Sequence, residues 1–324
     1  MTQKNTQKNR KKIAGMVLAG LAALFFLVLM PVMSVLVYEE NFGGRFETPE
    51  ASAFSAADFE GLQVENTTFA SDDGQMLAGY HYRKDGQPAR GVIVLSHGFG
   101  GGGHNSYMDV IDRLVSGGFL VFAYDATGND RSEGDTVRGL PQGVADLDFA
   151  LQYVKEEERY RDLPVLLFGH SWGAYAAGSV LQAHPDAAAA VLVSGFNAST
   201  GMFAQEGAEM IGSAIRLFMP YVSLYERVKF GAYAGMRMDR GTNETPAEIL
   251  VIYSADDDVV DPAIGSKILE KRFADDDRFT FVRYTDRGHN PLAKPAAAGR
   301  PLDEEIMQTV TRFYETAVEK EALR

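Results

Sequence analysis

The chain has 324 residues, 46% of them hydrophobic and 23% charged, with a formal net charge of -13; these values suit one large globular domain with its own core. The acidic balance argues against nucleic acid as a partner, since five basic residues (Lys4, Lys8, Arg10, Lys11, Lys12) all precede position 13 and no basic patch follows them. There is no cysteine, which excludes disulfides, thiolate metal sites and a cysteine nucleophile.

In chain order, residues 1–12 form a basic tail and Ile13 to Tyr38 contains no charged residue. As a helix that stretch would measure roughly 39 Å against a hydrocarbon core of roughly 30 Å, so it is expected to cross a membrane with some tilt. Basic residues before it and Glu39, Glu40, Glu47 and Glu50 after it place the N-terminus in the cytoplasm and the rest outside. A cleaved signal peptide is the alternative, but its apolar region would be shorter and would end in a small-x-small site, which is not cleanly present. Asn41 to Asp58 reads as a linker, so residues 39–60 are expected to join the anchor, 13–38, to a domain over 61–324.

That domain alternates strands and helices. Gln63 to Ala70 and Met76 to Arg83, separated by Ser-Asp-Asp-Gly, predict a hairpin. Gly91 to Ser96, Phe119 to Tyr124, Val165 to Phe168, Ala190 to Ser194, Ile249 to Tyr253 and Phe279 to Tyr284 are short strand-like runs. Tyr107 to Ser116, a segment opened by Pro141, a small-residue stretch ending near His184, Pro262 to Phe273 and Leu302 to Leu323 read as helices between and after them. Such alternation predicts an α/β fold with a mostly parallel central sheet flanked by helices.

The segment Gly169-His170-Ser171-Trp172-Gly173, between the run Val165 to Phe168 and a helix, has the form of a nucleophile elbow. A serine on a sharp strand-to-helix turn presents its hydroxyl above the sheet, while Gly169 and Gly173 remove side chains that would clash as strand and helix close up. The helix N-terminus beyond Ser171 adds oriented amides where an oxyanion would form.

With the elbow go four further segments: His97-Gly98-Phe99-Gly100, the loop Tyr124 to Gly134, Ser254-Ala255-Asp256-Asp257-Asp258-Val259-Val260, and Asp286-Arg287-Gly288-His289-Asn290. In content and order they resemble the α/β-hydrolase superfamily, and within it the serine hydrolases that include esterases, monoacylglycerol lipases and serine aminopeptidases. The resemblance implies oxyanion donors at the N–H groups of Phe99 and Trp172, supported by the turn His97, Gly98 and Gly100. It implies a nucleophile at Ser171, an acid at Asp257 with Asp256 as the alternative, and a base at His289, the only one of six histidines after the acid. Asp130 falls in the loop that the family places beside the site and is expected to be structural. Asp256, Asp257 and Asp258 lack the alternating oxygen ligands and distal glutamate of a calcium loop, so no metal and no cofactor is expected.

Between Phe196 and Glu248, at about 197–247, lies an insertion where related hydrolases carry a lid. Its methionines and aromatics, among them Met202, Phe203, Met210, Phe218 and Tyr225, suggest an apolar pocket and a substrate with a lipophilic acyl or alkyl part, although most of them are expected simply to pack the insertion onto the body. Glu206 and Glu209 are candidate acceptors for a substrate ammonium, which an aminopeptidase requires. The sequence therefore points to a membrane-anchored serine hydrolase acting on a small ester or lipid-like substrate. A serine aminopeptidase or amidase on the same triad is the alternative, and a non-catalytic binding module the reading from another class.

Overall fold

The computed structural model describes residues 2–86, 88–294 and 301–323. It opens with one helical rod made of α1 (Thr2–Leu24), a π-helical turn (Phe25–Leu29) and α2 (Met30–Phe42). The expected hairpin follows, β1 (Gln63–Ala70) pairing antiparallel with β2 (Met76–Arg83), Gln63 opposite Arg83 and Ala70 opposite Met76. Then come β3 (Val92–Ser96), α3 (Met108–Ser116), β4 (Leu120–Tyr124), α4 (Pro141–Glu156), β5 (Val165–His170), α5 (Trp172–Val180) and β6 (Ala189–Val193). An insertion carries α6 (Ser199–Ile211), α7 (Met219–Phe230) and the short α8 (Met238–Gly241). The chain closes with β7 (Glu248–Ser254), α9 (Ser266–Phe273), β8 (Phe279–Tyr284) and α10 (Glu304–Glu321).

The strands form one sheet in the order β1-β2-β4-β3-β5-β6-β7-β8, antiparallel through β2 and parallel from β4 to β8. Because both faces are covered, the parallel strands are apolar throughout rather than alternating. Val92 and Val94 of β3 join the layer containing Val144 and Leu147 of α4 and Ala174 and Ala177 of α5. Ile93 and Leu95 join the opposite layer, with Ile111 of α3 and Val310 of α10.

Two helices differ from expectation. α5 ends at Val180, four residues short of His184. Pro262 to Phe273 is divided at Gly265, where a Cβ would stand 1.9 Å from the Gly195 carbonyl oxygen; the close approach needs glycine and interrupts the helix.

The segment after the apolar stretch, expected as a linker, lies against the body. Met30, Ser34, Tyr38 and Phe42, spaced by four residues on one face of α2, are all buried. Beyond them Phe46 donates its N–H to the Gly128 carbonyl and accepts from the Asp130 N–H, 3.0 Å each. The Arg45 guanidinium caps the carbonyls of Asp130 at 2.8 Å, Ser132 at 3.0 Å and Gly134. Residues 42–48 thus form a strap across the loop after β4.

Candidate active site

The predicted triad and oxyanion residues follow the carboxyl ends of parallel strands, where loops from neighbouring strands converge, whereas Glu206 and Glu209 lie on α6 of the insertion. Ser171 lies between β5 and α5 with φ 55° and ψ -114°, a strained conformation for a residue with a side chain. Its neighbours explain how that turn closes. A Cβ on Gly169 would fall 2.2 Å from the Gly173 carbonyl oxygen, and one on Gly173 would fall 2.0 Å from that of Ser96. Both glycines are therefore sterically required where strand, helix and the end of β3 meet.

His289, in the loop after β8, places Nδ1 2.9 and 3.0 Å from the two carboxylate oxygens of Asp257, which follows β7. Asp257 Oδ1 also accepts the N–H groups of Val259 and Val260 at 3.0 and 2.9 Å, so its carboxylate is held in place. Asp256 has a different set of contacts: it accepts the Gly288 N–H at 3.0 Å and bonds the Ser254 hydroxyl, fastening the turn that carries His289. Those donors hold the Asp256 carboxyl below the usual range. The three consecutive aspartates thus divide, with Asp257 against the imidazole and Asp256 against the turn. Among the described residues no group of three or more His, Asp or Glu is arranged to hold a metal ion.

The amides of Phe99 and Trp172 have no acceptor among the described residues. His97 shapes the turn before Phe99: its Nε2 accepts the Ala126 N–H at 2.9 Å and its Nδ1 donates to the Gly98 carbonyl at 2.8 Å. Full burial keeps this imidazole neutral by lowering its pKa. Gly100 has φ +78°, which favours glycine. The strap reaches this turn as well: Asp130 accepts from the Thr48 N–H and hydroxyl, 2.6 Å each, and from the Gly103 N–H at 2.9 Å. Asp130 is therefore a fastener, with Phe42 and Phe46 packed edge-on against the Phe99 ring at 5.7 and 5.0 Å.

Two residues tie the loops together that sequence reasoning did not single out. The Gly98 N–H donates to the Tyr107 hydroxyl at 3.0 Å, which donates in turn to His170 Nδ1 at 2.8 Å. His170 Nε2 donates to the His289 carbonyl at 3.0 Å, and the two rings lie 5.0 Å apart. This run of bonds joins the turn before Phe99, the elbow and the His289 loop. Burial, aided by the neighbouring His289, lowers the His170 pKa to about 4, so the ring remains neutral and the one-donor, one-acceptor arrangement is fixed. His170 stood in plain view inside the elbow; Tyr107 carried no sequence signal. Among the described residues no hydrogen bond joins Ser171 Oγ to His289, and such contacts are often long before a substrate binds.

The fold is shared with solved structures. An esterase of Pyrococcus furiosus, Pf2001, superposes with a TM-score of 0.64 over 85% of this chain and 99% of its own, at 15% identity. An esterase/lipase from an uncultured bacterium does so with a TM-score of 0.57 over 84% and 89%, at 20% identity. The chain has the α/β-hydrolase fold. The profile of the serine aminopeptidase family, S33, matches residues 87–233 of the chain. Among curated proteins it is similar to caffeoylshikimate esterase of Arabidopsis thaliana, 29% identical over 135 residues, 41% of this chain and 39% of that protein. It is also similar to human monoglyceride lipase, 36% identical over 105 residues, 31% of this chain and 33% of that protein. The matches therefore span about a third to two-fifths of these relatives' length. The profile match includes the turn at His97 and the elbow at Ser171 and ends before Asp257 and His289.

Proposed function

We propose that this α/β-hydrolase cleaves carboxylic esters with a lipophilic part through an acyl-serine intermediate. The reading is carried by one observation: the Asp257–His289 pair is fastened, through His170, to the strained serine next in sequence. In this mechanism His289 Nε2 takes the Ser171 proton as Oγ attacks the ester carbonyl carbon, and Asp257 holds the imidazole tautomer and stabilises the imidazolium. The developing oxyanion accepts the N–H groups of Phe99 and Trp172. Collapse breaks the ester C–O bond with the proton returned to the departing alcohol, and water repeats the sequence to release the acid.

Curated relatives named as esterases and lipases support an ester substrate over an aminoacyl one. Glu206 and Glu209, the candidate ammonium acceptors, lie on α6 of the insertion. The insertion over 197–247 serves as a lid in this account. Residues 13–38 provide the anchor, with the N-terminus cytoplasmic and the catalytic domain outside. In support, the rod Gln7–Phe42 is long and apolar enough to cross a membrane. Tyr38 and Phe42 belong to the domain's own core, so cleavage beyond Phe42, as for a signal peptide, would open that core. Nitrophenyl esters of graded chain length are expected to be hydrolysed faster than aminoacyl anilides; the reverse preference overturns the ester reading in favour of the peptidase. Failure of a fluorophosphonate to label Ser171 would favour a binding module.

A further inference from the structure

The strongest unassigned feature of the molecule lies away from Ser171, between α2 and the insertion. Met33 and Val37 of α2 form one wall of an apolar cavity of about 180 Å³, and Phe203, Ile211, Ile215 and Phe218 form much of the other. We infer that this cavity receives the acyl chain of a membrane lipid directly from the outer leaflet, with the chain's own anchor helix as a wall. The inference rests on reading the rod as a membrane anchor and deepens the ester reading by naming where a lipid chain enters.

Depth along the rod places the cavity. From Lys12, the last basic residue before the apolar stretch, fourteen residues of helix rise roughly 21 Å to Phe26, and a hydrocarbon core of roughly 30 Å ends near Val32. The Tyr221 hydroxyl donates to the Phe26 carbonyl at 2.8 Å. The start of α7 is thus tied to a point below the outer edge of the hydrocarbon. The insertion is built for that depth. From Met210 to Leu224 its only charge is Arg216, whose long side chain can carry its head to the phosphates. Met210, Ile211, Leu217 and Leu224 are all exposed, Leu224 by 63% and Met210 by 77%. In water such a cluster would be an unusual apolar patch, whereas beside an anchor it continues the apolar surface of the rod. Higher on the rod, Glu39 bonds Tyr225 and Lys229, and this polar cluster falls roughly 10 Å beyond Val32, where headgroups and water begin.

A run of packed rings connects the cavity wall to the proposed reaction centre. The lining ring Phe203 lies 6.4 Å from the ring of Phe42, which packs at 5.7 Å on Phe99, and Phe99 at 5.6 Å on Trp172. These last two residues carry the proposed oxyanion amides. Three successive ring contacts, Phe203 to Phe42, Phe42 to Phe99 and Phe99 to Trp172, therefore lie between a chain in the cavity and the serine's neighbour.

The test uses the full chain with Ser171→Ala, so that no lipid is consumed and the result is independent of hydrolysis, reconstituted in phosphatidylcholine vesicles. Leu18→Trp on the rod and Leu224→Trp on α7 are each read against the single native Trp172 for quenching by phosphatidylcholine brominated at mid-chain. Both are expected to be quenched. A palmitoyl glycerol with a diazirine at the chain end is expected to label peptides containing Met33 and Ile211, and Ile211→Phe or, as a second variant, Met33→Phe is expected to lower that labelling about tenfold by filling the cavity. Quenching at Leu18→Trp without quenching at Leu224→Trp overturns the inference and leaves the anchor standing; quenching at neither overturns both. Quenching at both with labelling absent, or unchanged by both fillers, removes the cavity as the acyl site.

Discussion

At the scale of single residues, the division between Asp256 and Asp257 makes a sharp prediction. Asp257→Asn leaves the shape of the site and removes the charge that holds the imidazole, and is expected to lower kcat by about 10⁴. Asp256→Asn retains an oxygen that can accept from Gly288, and is expected to cost only a few-fold. Steady-state kinetics on a nitrophenyl ester checks both, and equal losses would contradict the assignment. Tyr107→Phe leaves the Gly98 N–H without its acceptor and His170 without its donor. Its expected effect is a fall in kcat of about tenfold with KM little changed, if the group acts by positioning the proposed oxyanion turn and not by binding substrate.

At the scale of elements, the contact between α2 and the insertion contains a buried acid. Glu226 of α7 accepts from the Tyr38 hydroxyl at 3.1 Å and from the Ser199 hydroxyl of α6, with Tyr175 of α5 close by; its other oxygen is buried without a partner among the described residues. Burial raises its pKa to about 7 despite those donors. A raised carboxyl favours the native state fully below about pH 4.5, and that contribution is lost as pH rises through about 7. Melting temperatures of the native chain and Glu226→Gln are therefore expected to diverge on going from pH 5 to pH 8, with the variant the more stable at pH 8. A constant difference across that range would contradict it. The strap makes a second prediction at this scale. Thr48→Val breaks the bonds to Asp130 and Gly103 and is expected to lower kcat several-fold, while Thr48→Ser restores it.

Much of this architecture was legible in the sequence because its signals were local. The hairpin came from alternating strands about a Ser-Asp-Asp-Gly turn, the buried strands from unbroken apolar runs, and the elbow from glycines that steric closure demands. What escaped depends on contacts between distant segments. Nothing near Gly265 announces that Gly195 will press against it, so the helix there read as continuous. Residues 39–60 read as a linker from their glycines and small polar residues, whereas Arg45, Phe46 and Thr48 bind a loop more than eighty positions away. Asp257 was separable from Asp256 only by a family pattern until the His289 loop was in place.

At the scale of the whole molecule, the apolar rod belongs to two environments. Ile13 to Leu29 exposes nearly all its side chains, whereas Met30, Ser34, Tyr38 and Phe42 are buried against the domain. Deleting residues 1–28 is expected to turn stable membrane anchoring into weak attachment through the apolar patch of the insertion, with short-ester hydrolysis intact. Deleting residues 1–42 strips two buried aromatic rings, each a loss on the order of 3–5 kcal/mol, and is expected to yield an unstable, aggregating domain. Membrane fractionation and thermal melting distinguish the two truncations; equal stability would show that the upper rod is not part of the core.

The proposed hydrolysis depends most directly on the Ser171 hydroxyl as nucleophile. Turnover of a nitrophenyl ester by Ser171→Ala, compared with the native chain at saturating substrate, tests it: kcat is expected to fall by about 10⁴ to 10⁶ with the melting temperature preserved. A variant that folds and still turns over at the native rate would contradict the mechanism.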